Sequence, residues 1–166
     1  MPHFDAMIKQ KQLLRQKLLQ NQAVVDLLVN TGNNTAEFAH VKTGSKSPAA
    51  ELVKTHFYVP STANVDRNYI TMRSRVIFAD NNVVKETGIT VYVICNEHQI
   101  DLLQGSRADL LADEIDRILN NGDDPLFGLG GVTLRPADEV QFNDGYSGWQ
   151  IPYVTHEMNR RADLIG

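Results

Sequence analysis

The densest group of reactive side chains in the sequence is Cys95, Glu97 and His98, within residues 94–98. A thiol and an imidazole this close together suggest a metal site or a nucleophilic cysteine. A structural zinc site needs four ligands, typically in paired spacings, and Cys95 is the only cysteine. Cysteine catalysis also brings its histidine from elsewhere in the sequence. We therefore expect Cys95 to be a buried residue at the end of a core strand, as free cysteines often are.

No other group of residues has the spacing of a known catalytic or ligand-binding motif. HExxH and HxH spacings are missing among the histidines, which are His3, His40, His56, His98 and His156. The glycine-rich run 127–131 lacks the Lys-Ser/Thr ending of a phosphate-binding loop and precedes a predicted strand, so we interpret it as a turn or hinge. No serine lies in a Gly-x-Ser-x-Gly elbow. The sequence therefore predicts no catalytic residue, no metal ligand and no cofactor, and indicates that the protein is not an enzyme.

Length and composition favour a soluble, intracellular protein with a single domain over residues 1–166. A chain of this size can bury roughly 70% of the surface that its unfolded form exposes. The net charge of −4 gives no overall case for binding nucleic acid or an anionic membrane. A single cysteine excludes an internal disulfide and fits a reducing compartment. Neither a signal peptide nor a membrane helix is expected.

Two helices are predicted before residue 31. Ile8, Leu14, Leu18 and Leu19 recur at helical spacing among polar residues. Asn21 is expected to cap the second helix, which continues through the apolar residues of 24–29. Residues 31–68 are the least regular part, with a short helix predicted to begin at Pro48. A connection this long is unusual unless it is functional or partly structured. It is interpreted either as a flexible surface loop or as an arm that lies on a neighbouring subunit.

Strand patterns occupy two later regions. Apolar residues alternate with mostly polar ones over 70–78, a second strand is predicted over 89–95, and a turn is predicted at 80–82. The second of these strands is apolar on both sides, so we expect it to be central. Strand pieces follow at 132–134 and 140–142, then a loop at 143–148. The closing strand runs over 149–155, and Pro152 predicts that it lies at an edge or carries a bulge.

The clearest helix is predicted over 106–120, between the two strand regions. Ser106 and Asp109 resemble a capping box. The apolar stripe consists of Ala108, Leu111, Ile115 and Ile118, widened by Ala112 and Leu119. The charged residues are expected on the exposed surface, where arginines partly neutralise the aspartates; they are Arg107, Asp109, Asp113, Asp116 and Arg117.

The order α-α-(long loop)-β-β-α-β-β predicts an α+β fold, a small, mostly antiparallel sheet with helices packed on one face. Aromatic residues beside an edge-like closing strand favour a role in assembly, because Trp and Tyr are enriched at interface hot spots and an edge strand can accept a strand from a neighbour. For Trp149 the alternative is a core position. The interface candidates are Lys42, Lys46, Tyr58, Arg73, Arg75, Arg107, Tyr146, Trp149 and Tyr153.

The sequence resembles the neck and tail-terminator proteins of tailed bacteriophages. The resemblance lies in the strand 89–98 followed by the helix pattern Arg-x-Asp-x-x-Ala-x-x-Ile-Asp of residues 107–116. It extends to the closing stretches 128–134 and 143–149, and more loosely to the short helices around Asn21. About two-thirds of the chain is covered, by patterns that are not individually specific.

The resemblance implies a structural virion protein, assembled in the host cytoplasm, that forms a ring at the head–tail junction. Such rings are commonly six-fold; they cap the tail tube and join it to the head connector, while double-stranded DNA passes through without sequence-specific binding. The implied partners are further copies of the chain, the tail tube protein and the head-connector or adaptor proteins, with no membrane. The alternatives are a head-closure or adaptor protein, a metal-binding or enzymatic module using Cys95 and His98, and a small-molecule binding domain.

Overall fold

The first two helices are α1, Phe4–Gln20, and α2, Gln22–Val29, in a computed structural model that describes residues 4–61, 66–77, 84–120 and 132–158. Asn21 separates them, and its side-chain Oδ1 accepts a hydrogen bond from the Val24 N–H at 3.0 Å, which confirms the predicted cap. Leu14, Leu18 and Leu19 are buried as predicted. Ile8 is 55% exposed, because the buried side of the first turns runs through Met7 and Gln10 instead.

The main sheet has the order β1-β2-β3-β8, with β6 and β7 both paired to the far side of β8. Its strands are β1 Val53–Lys54, β2 Tyr69–Ile77, β3 Val84–Asn96, β6 Val132–Leu134, β7 Asp138–Asn143 and β8 Tyr146–Met158. A separate two-stranded ribbon consists of β4, Asp101–Leu102, and β5, Gly105–Ser106. The β2–β3 pair is antiparallel and β3 is central, both as predicted. The predicted turn at 80–82 lies outside the described residues.

The predicted loop at 143–148 is wrong. Only Asp144 and Gly145 form a turn, and β8 begins at Tyr146. Gly148 is therefore a strand residue, opposite Ile94 of β3. A Cβ atom at this position would collide with the main-chain oxygen of Val93, so the missing side chain allows β3 and β8 to approach closely.

The prediction that Pro152 marks an edge strand or a bulge is also wrong, because β8 is paired on both sides and its register with β3 is continuous through Pro152. β6 pairs with residues 153–155 and β7 with residues 146–150, so Pro152 lies where the neighbouring strand is interrupted. Its carbonyl oxygen accepts from the Arg135 N–H on that side at 2.9 Å. In an extended strand the N–H and C=O of one residue point to the same side, so the missing N–H of Pro152 faces the interruption and breaks no bond to β3.

The third helix, α3, spans Arg107–Leu119 and packs with α1 and α2 on one face of the sheet. The described residues thus confirm the α+β fold with a mostly antiparallel sheet. Ser106 precedes α3 but its side chain makes no capping hydrogen bond, so the predicted capping box is wrong. The carboxylate of Asp109 instead accepts from the indole Nε1 of Trp149 at 2.7 Å. Leu111 and Ile115 are fully buried against the sheet, as predicted.

The long connection after α2 is partly structured. It contains short 3-10 helices at Thr35–Glu37 and Pro48–Glu51, and the second confirms the helix predicted at Pro48. Phe38 and Val41 pack against the core, so this part of the connection lies on its own subunit. None of the helices in the described part of the chain combines the length and hydropathy that a bilayer-spanning segment needs.

Candidate interaction surfaces

Cys95 is fully buried and unpaired, as predicted. Burial raises the pKa of its thiol to about 12 and outweighs the opposing positive charge of Arg107. The reactive thiolate is therefore strongly disfavoured. Across the described ranges, no three His, Cys, Asp or Glu side chains come together as a possible metal site. The glycine-rich run 127–131 and His3 lie outside the described residues.

Arg107 was predicted on the surface and as an interface residue, and the structure contradicts both. Its side chain is fully buried. Its guanidinium donates to the carbonyl oxygens of Gln99 at 2.8 Å, Gly32 at 3.0 Å and Leu27. Burial lowers the pKa of this guanidinium, but arginine keeps its proton in proteins. Arg107 therefore joins three chain segments inside the protein, because carbonyl acceptors replace the water that a buried cation loses.

Tyr146 and Tyr153 were also interface candidates, and both belong to the protein's own interior, with 2% and 1% of their surface exposed. The Tyr153 hydroxyl donates to Asp116 Oδ1 at 3.0 Å. Burial, followed by the charge of Asp116, raises the pKa of Tyr153 well above its usual range. Tyr153 therefore faces the helical layer, whereas Tyr146 points to the opposite face of the sheet, because the two are seven residues apart and side chains alternate along β8.

Trp149 is partly buried and packs against the core. It lines a cleft of about 290 Å³ between the start of α3 and strand β7. Ser106 and Asp109 line the helix side, and Glu139 and Gln141 line the strand side. The cleft runs beside the main chain of β7, so it gives access to that edge of the sheet.

The sheet face opposite the helices carries cations stacked on aromatic rings. Register places Lys54, Thr71 and Tyr92 side by side on this face, with Arg73 and Arg75 at alternate positions of β2. The Arg73 guanidinium lies 4.5 Å from the Phe57 ring centre, and the Lys54 ammonium lies 4.9 Å from that of Tyr58.

Three of the predicted interface candidates meet on this face, namely Tyr58, Arg73 and Arg75. Both arginines are exposed. In the described ranges, no carboxylate forms an ion pair with Lys54, Arg73 or Arg75. We name Lys54, Tyr58, Arg73 and Arg75 the cationic face. Cations held over aromatic rings and free of ion pairs can bind an acidic partner surface.

The β1 edge of the sheet is closed by the protein itself. This strand has two residues and pairs with β2 in parallel. The Arg15 side chain of α1 donates from Nε to the Val53 carbonyl at 2.9 Å and from Nη2 to the Ala50 carbonyl at 2.6 Å. Because Arg15 occupies the outward acceptors, this edge offers little to another strand.

The opposite edge is open and acidic. β7 has six residues and pairs only with β8 among the described strands. Its alternate main-chain groups therefore point away from the sheet. Asp138 and Glu139 are exposed on it and form no ion pair within the part of the chain that is described. The nearest preceding cation, Arg135, is paired with Glu86 at 3.4 Å. We name β7 the acidic edge.

A second extended edge lies after α2, held by side chains at positions i, i+4 and i+8 of that helix. Asn30 exchanges two hydrogen bonds with the main chain of Ala39, with Nδ2 donating to the carbonyl at 3.0 Å and Oδ1 accepting from the N–H at 3.1 Å. Asp26 Oδ1 accepts from the Val41 N–H, and Gln22 Nε2 donates to the Val41 carbonyl, both at 2.8 Å. The main-chain groups of residues 39 and 41 therefore point to α2 and bond its side chains, as those of a β-strand bond a neighbouring strand.

The two other residues of this segment point the opposite way. In an extended chain alternate residues direct their main-chain groups to opposite sides. His40 and Lys42 are exposed, and no described residue gives their main-chain groups a hydrogen-bond partner. Residues 38–47 contain Lys42 and Lys46 and no acidic residue. We name residues 39–46 the basic arm; it holds the two remaining interface candidates, which lie away from the cationic face beside the end of α1.

A hollow of about 500 Å³ separates the basic arm from α3. Leu27, Phe38 and Leu110 give it apolar walls, and His40 and Arg117 lie at its polar rim. The His40 Nδ1 is 2.9 Å from Asp26 Oδ2. This imidazole–carboxylate pair anchors the arm, and no serine or cysteine is among the residues that line the hollow.

Sequence reasoning missed the side-chain ladder of α2 and the role of Arg15. A signal for the ladder exists, because Gln22, Asp26 and Asn30 are polar residues at four-residue spacing in an otherwise apolar helix. Arg15 carries no comparable signal, because its acceptors are distant in sequence.

A family model described as YomW matches residues 21–155. The match spans most of the chain, including the basic arm and the acidic edge, so the chain belongs to the YomW family. The family takes its name from a gene in a Bacillus phage region, which fits a phage-related protein. No curated protein matches the chain in sequence.

Proposed function

We propose that this YomW-family protein is a structural subunit of a tailed phage that forms a closed ring at the head–tail junction, as a tail terminator. The supporting observation is the asymmetry of its sheet. One edge is filled by Arg15, and the other, β7, has main-chain groups directed outward. Two identical open edges would favour unlimited filaments, whereas one open edge suits a head-to-tail contact with a different surface of the next copy.

The cationic face supplies a second docking surface, distinct from the acidic edge. Lys54 and Arg73 lie over aromatic rings, and neither they nor Arg75 form an ion pair in the described part of the molecule. We assign this face to a neighbour in the virion, the tail tube or the head connector. Attraction between this positively charged face and a negatively charged partner surface would speed their association and disfavour partners of like charge.

Sizing the purified protein tests the ring. Mass photometry over a range of concentrations, followed by negative-stain imaging, should show one closed species of defined copy number, six being the expected one. A protein that stays monomeric at every concentration and binds neither tail tube nor connector would contradict the proposal.

A pull-down separates a tail terminator from a head-closure or adaptor protein. Purified tail tube and purified portal-side connector are offered to the ring separately. A terminator should retain the tube protein, and Arg73→Glu/Arg75→Glu should weaken that retention, whereas Lys9→Glu serves as a charge-reversal control on α1. Capture of the connector alone would favour the adaptor instead.

A further inference from the structure

The acidic edge and residues 39–43 of the basic arm are extended, and each lacks a strand partner on one side among the described residues. Lys46 lies in the turn that follows, over residues 44–47. The acidic edge presents β7 beside the cleft lined by Trp149. The basic arm presents the outward main-chain groups of His40 and Lys42. Each is fixed in place by its own chain, so neither needs to be ordered when it pairs.

Their charges are complementary. The arm contributes Lys42 and Lys46, and β7 contributes Asp138 and Glu139. The acidic residues of α3 are already engaged within the molecule. Arg117 pairs there with Asp113 at 2.7 Å, and Asp109 and Asp116 accept hydrogen bonds from Trp149 and Tyr153.

Building on the proposed ring, we infer that the basic arm of one copy adds as a strand to the acidic edge of the next copy. The occupant of the open edge is therefore a second copy of this chain. The contact is head-to-tail, because arm and edge are different surfaces, and it can repeat until the ring closes. At about 3.3 Å per residue, the five residues 39–43 of the arm match most of a six-residue strand.

A charge-swap series tests this pairing. Lys42→Glu/Lys46→Glu makes both arm and edge acidic, and Asp138→Lys/Glu139→Lys makes both basic. Each variant alone should assemble about tenfold more weakly or worse than wild type, since like charges oppose each other at the contact. The variant with all four substitutions has the charges exchanged and should assemble again. Glu51→Lys/Asp66→Lys, two exposed acids away from the open edge, is the matched control and should assemble as wild type.

Hydrogen exchange gives a second readout that needs no variant. The His40 and Lys42 amides should exchange slowly in the assembled ring and rapidly in dilute monomer, because only strand pairing supplies their acceptors. A charged contact without pairing would leave both amides unprotected, and that result would overturn the inference.

The outcomes for the inference and for the proposed function differ. A wild-type ring that is indifferent to both charge swaps, or that the four-site variant cannot restore, overturns the pairing and leaves the ring standing. A wild-type chain that never assembles overturns both.

Discussion

The two edges of the sheet differ in how their main-chain groups are satisfied. At β1 the chain contributes two residues and then fills the outward carbonyls with Arg15 from α1. At β7 it contributes six residues and leaves the outward groups without a partner in the described ranges. A long open edge invites aggregation unless it has a designated partner. This difference is the basis of the proposal that the open edge serves assembly, whereas the closed edge belongs to the fold.

The largest expected effect comes from detaching the open edge. Gly148 lies opposite Ile94 of β3 on one side and Val140 of β7 on the other. Gly148→Ala places a methyl group against the Val93 main chain, which cannot move without disturbing the central pair. We expect a loss of about 3 kcal/mol or more in the free energy of unfolding, measured by urea denaturation.

Gly145→Ala is the matched control, because the nearest atom to its Cβ would be the flexible Asn143 side chain at 3.9 Å. This control should cost much less. Equal losses for the two glycines would mean that the close approach of β3 and β8 does not limit stability.

A smaller effect is expected from opening the closed edge. Arg15→Leu removes the donors to the Val53 and Ala50 carbonyls while keeping an apolar stem. Unsatisfied partly buried acceptors cost about 1–3 kcal/mol in stability. The exposed edge should also promote non-specific association, seen as concentration-dependent light scattering. Arg15→Lys retains one donor, so its stability should lie between those of wild type and Arg15→Leu. If Arg15→Leu stayed soluble with wild-type stability, Arg15 would not be what closes the β1 edge.

Much of the fold could be predicted from sequence, but the difference between the two sheet edges could not. Alternation in β2, the cap at Asn21 and the short helix at Pro48 depend on neighbours in sequence, so they were predicted correctly. The positions of Pro152 and Arg107 depend on contacts across the fold. Pro152 looked like an edge residue because the interruption between β6 and β7 is invisible in its own strand.

The burial of Arg107 also could not be predicted from its own helix. Its helical spacing places it beside exposed aspartates, but the carbonyls of Leu27 and Gly32 that bind it lie far away in sequence. The candidate surfaces were therefore predicted in part. Tyr58, Arg73 and Arg75 are exposed together, whereas Tyr146 and Tyr153 are buried and not on the surface.

The smallest expected effect concerns the basic arm, the proposed partner of the open edge. Burial disfavours the charged form of Asp26, but hydrogen bonds from the Val41 N–H, His40 and Gln22 outweigh it and lower the pKa of this carboxyl below its ordinary 3.8. Because the folded-state pKa is depressed, the stabilisation is complete above the unfolded value and is lost as pH falls through the folded value. His40 is the nearest titratable group, and Asp113, Glu114 and Arg117 face the arm across the hollow.

Asp26→Asn should therefore lower the free energy of unfolding by about 1 kcal/mol at pH 7, the typical contribution of one hydrogen bond. The difference from wild type should shrink as pH falls below about 4. Denaturant titrations of both proteins from pH 7 to pH 2 measure this, and exchange of the Val41 amide reports release of the arm directly. If the difference persisted at pH 2, the ionised carboxylate would not be what holds the arm, and the preformed strand that the open edge is proposed to accept would need another anchor.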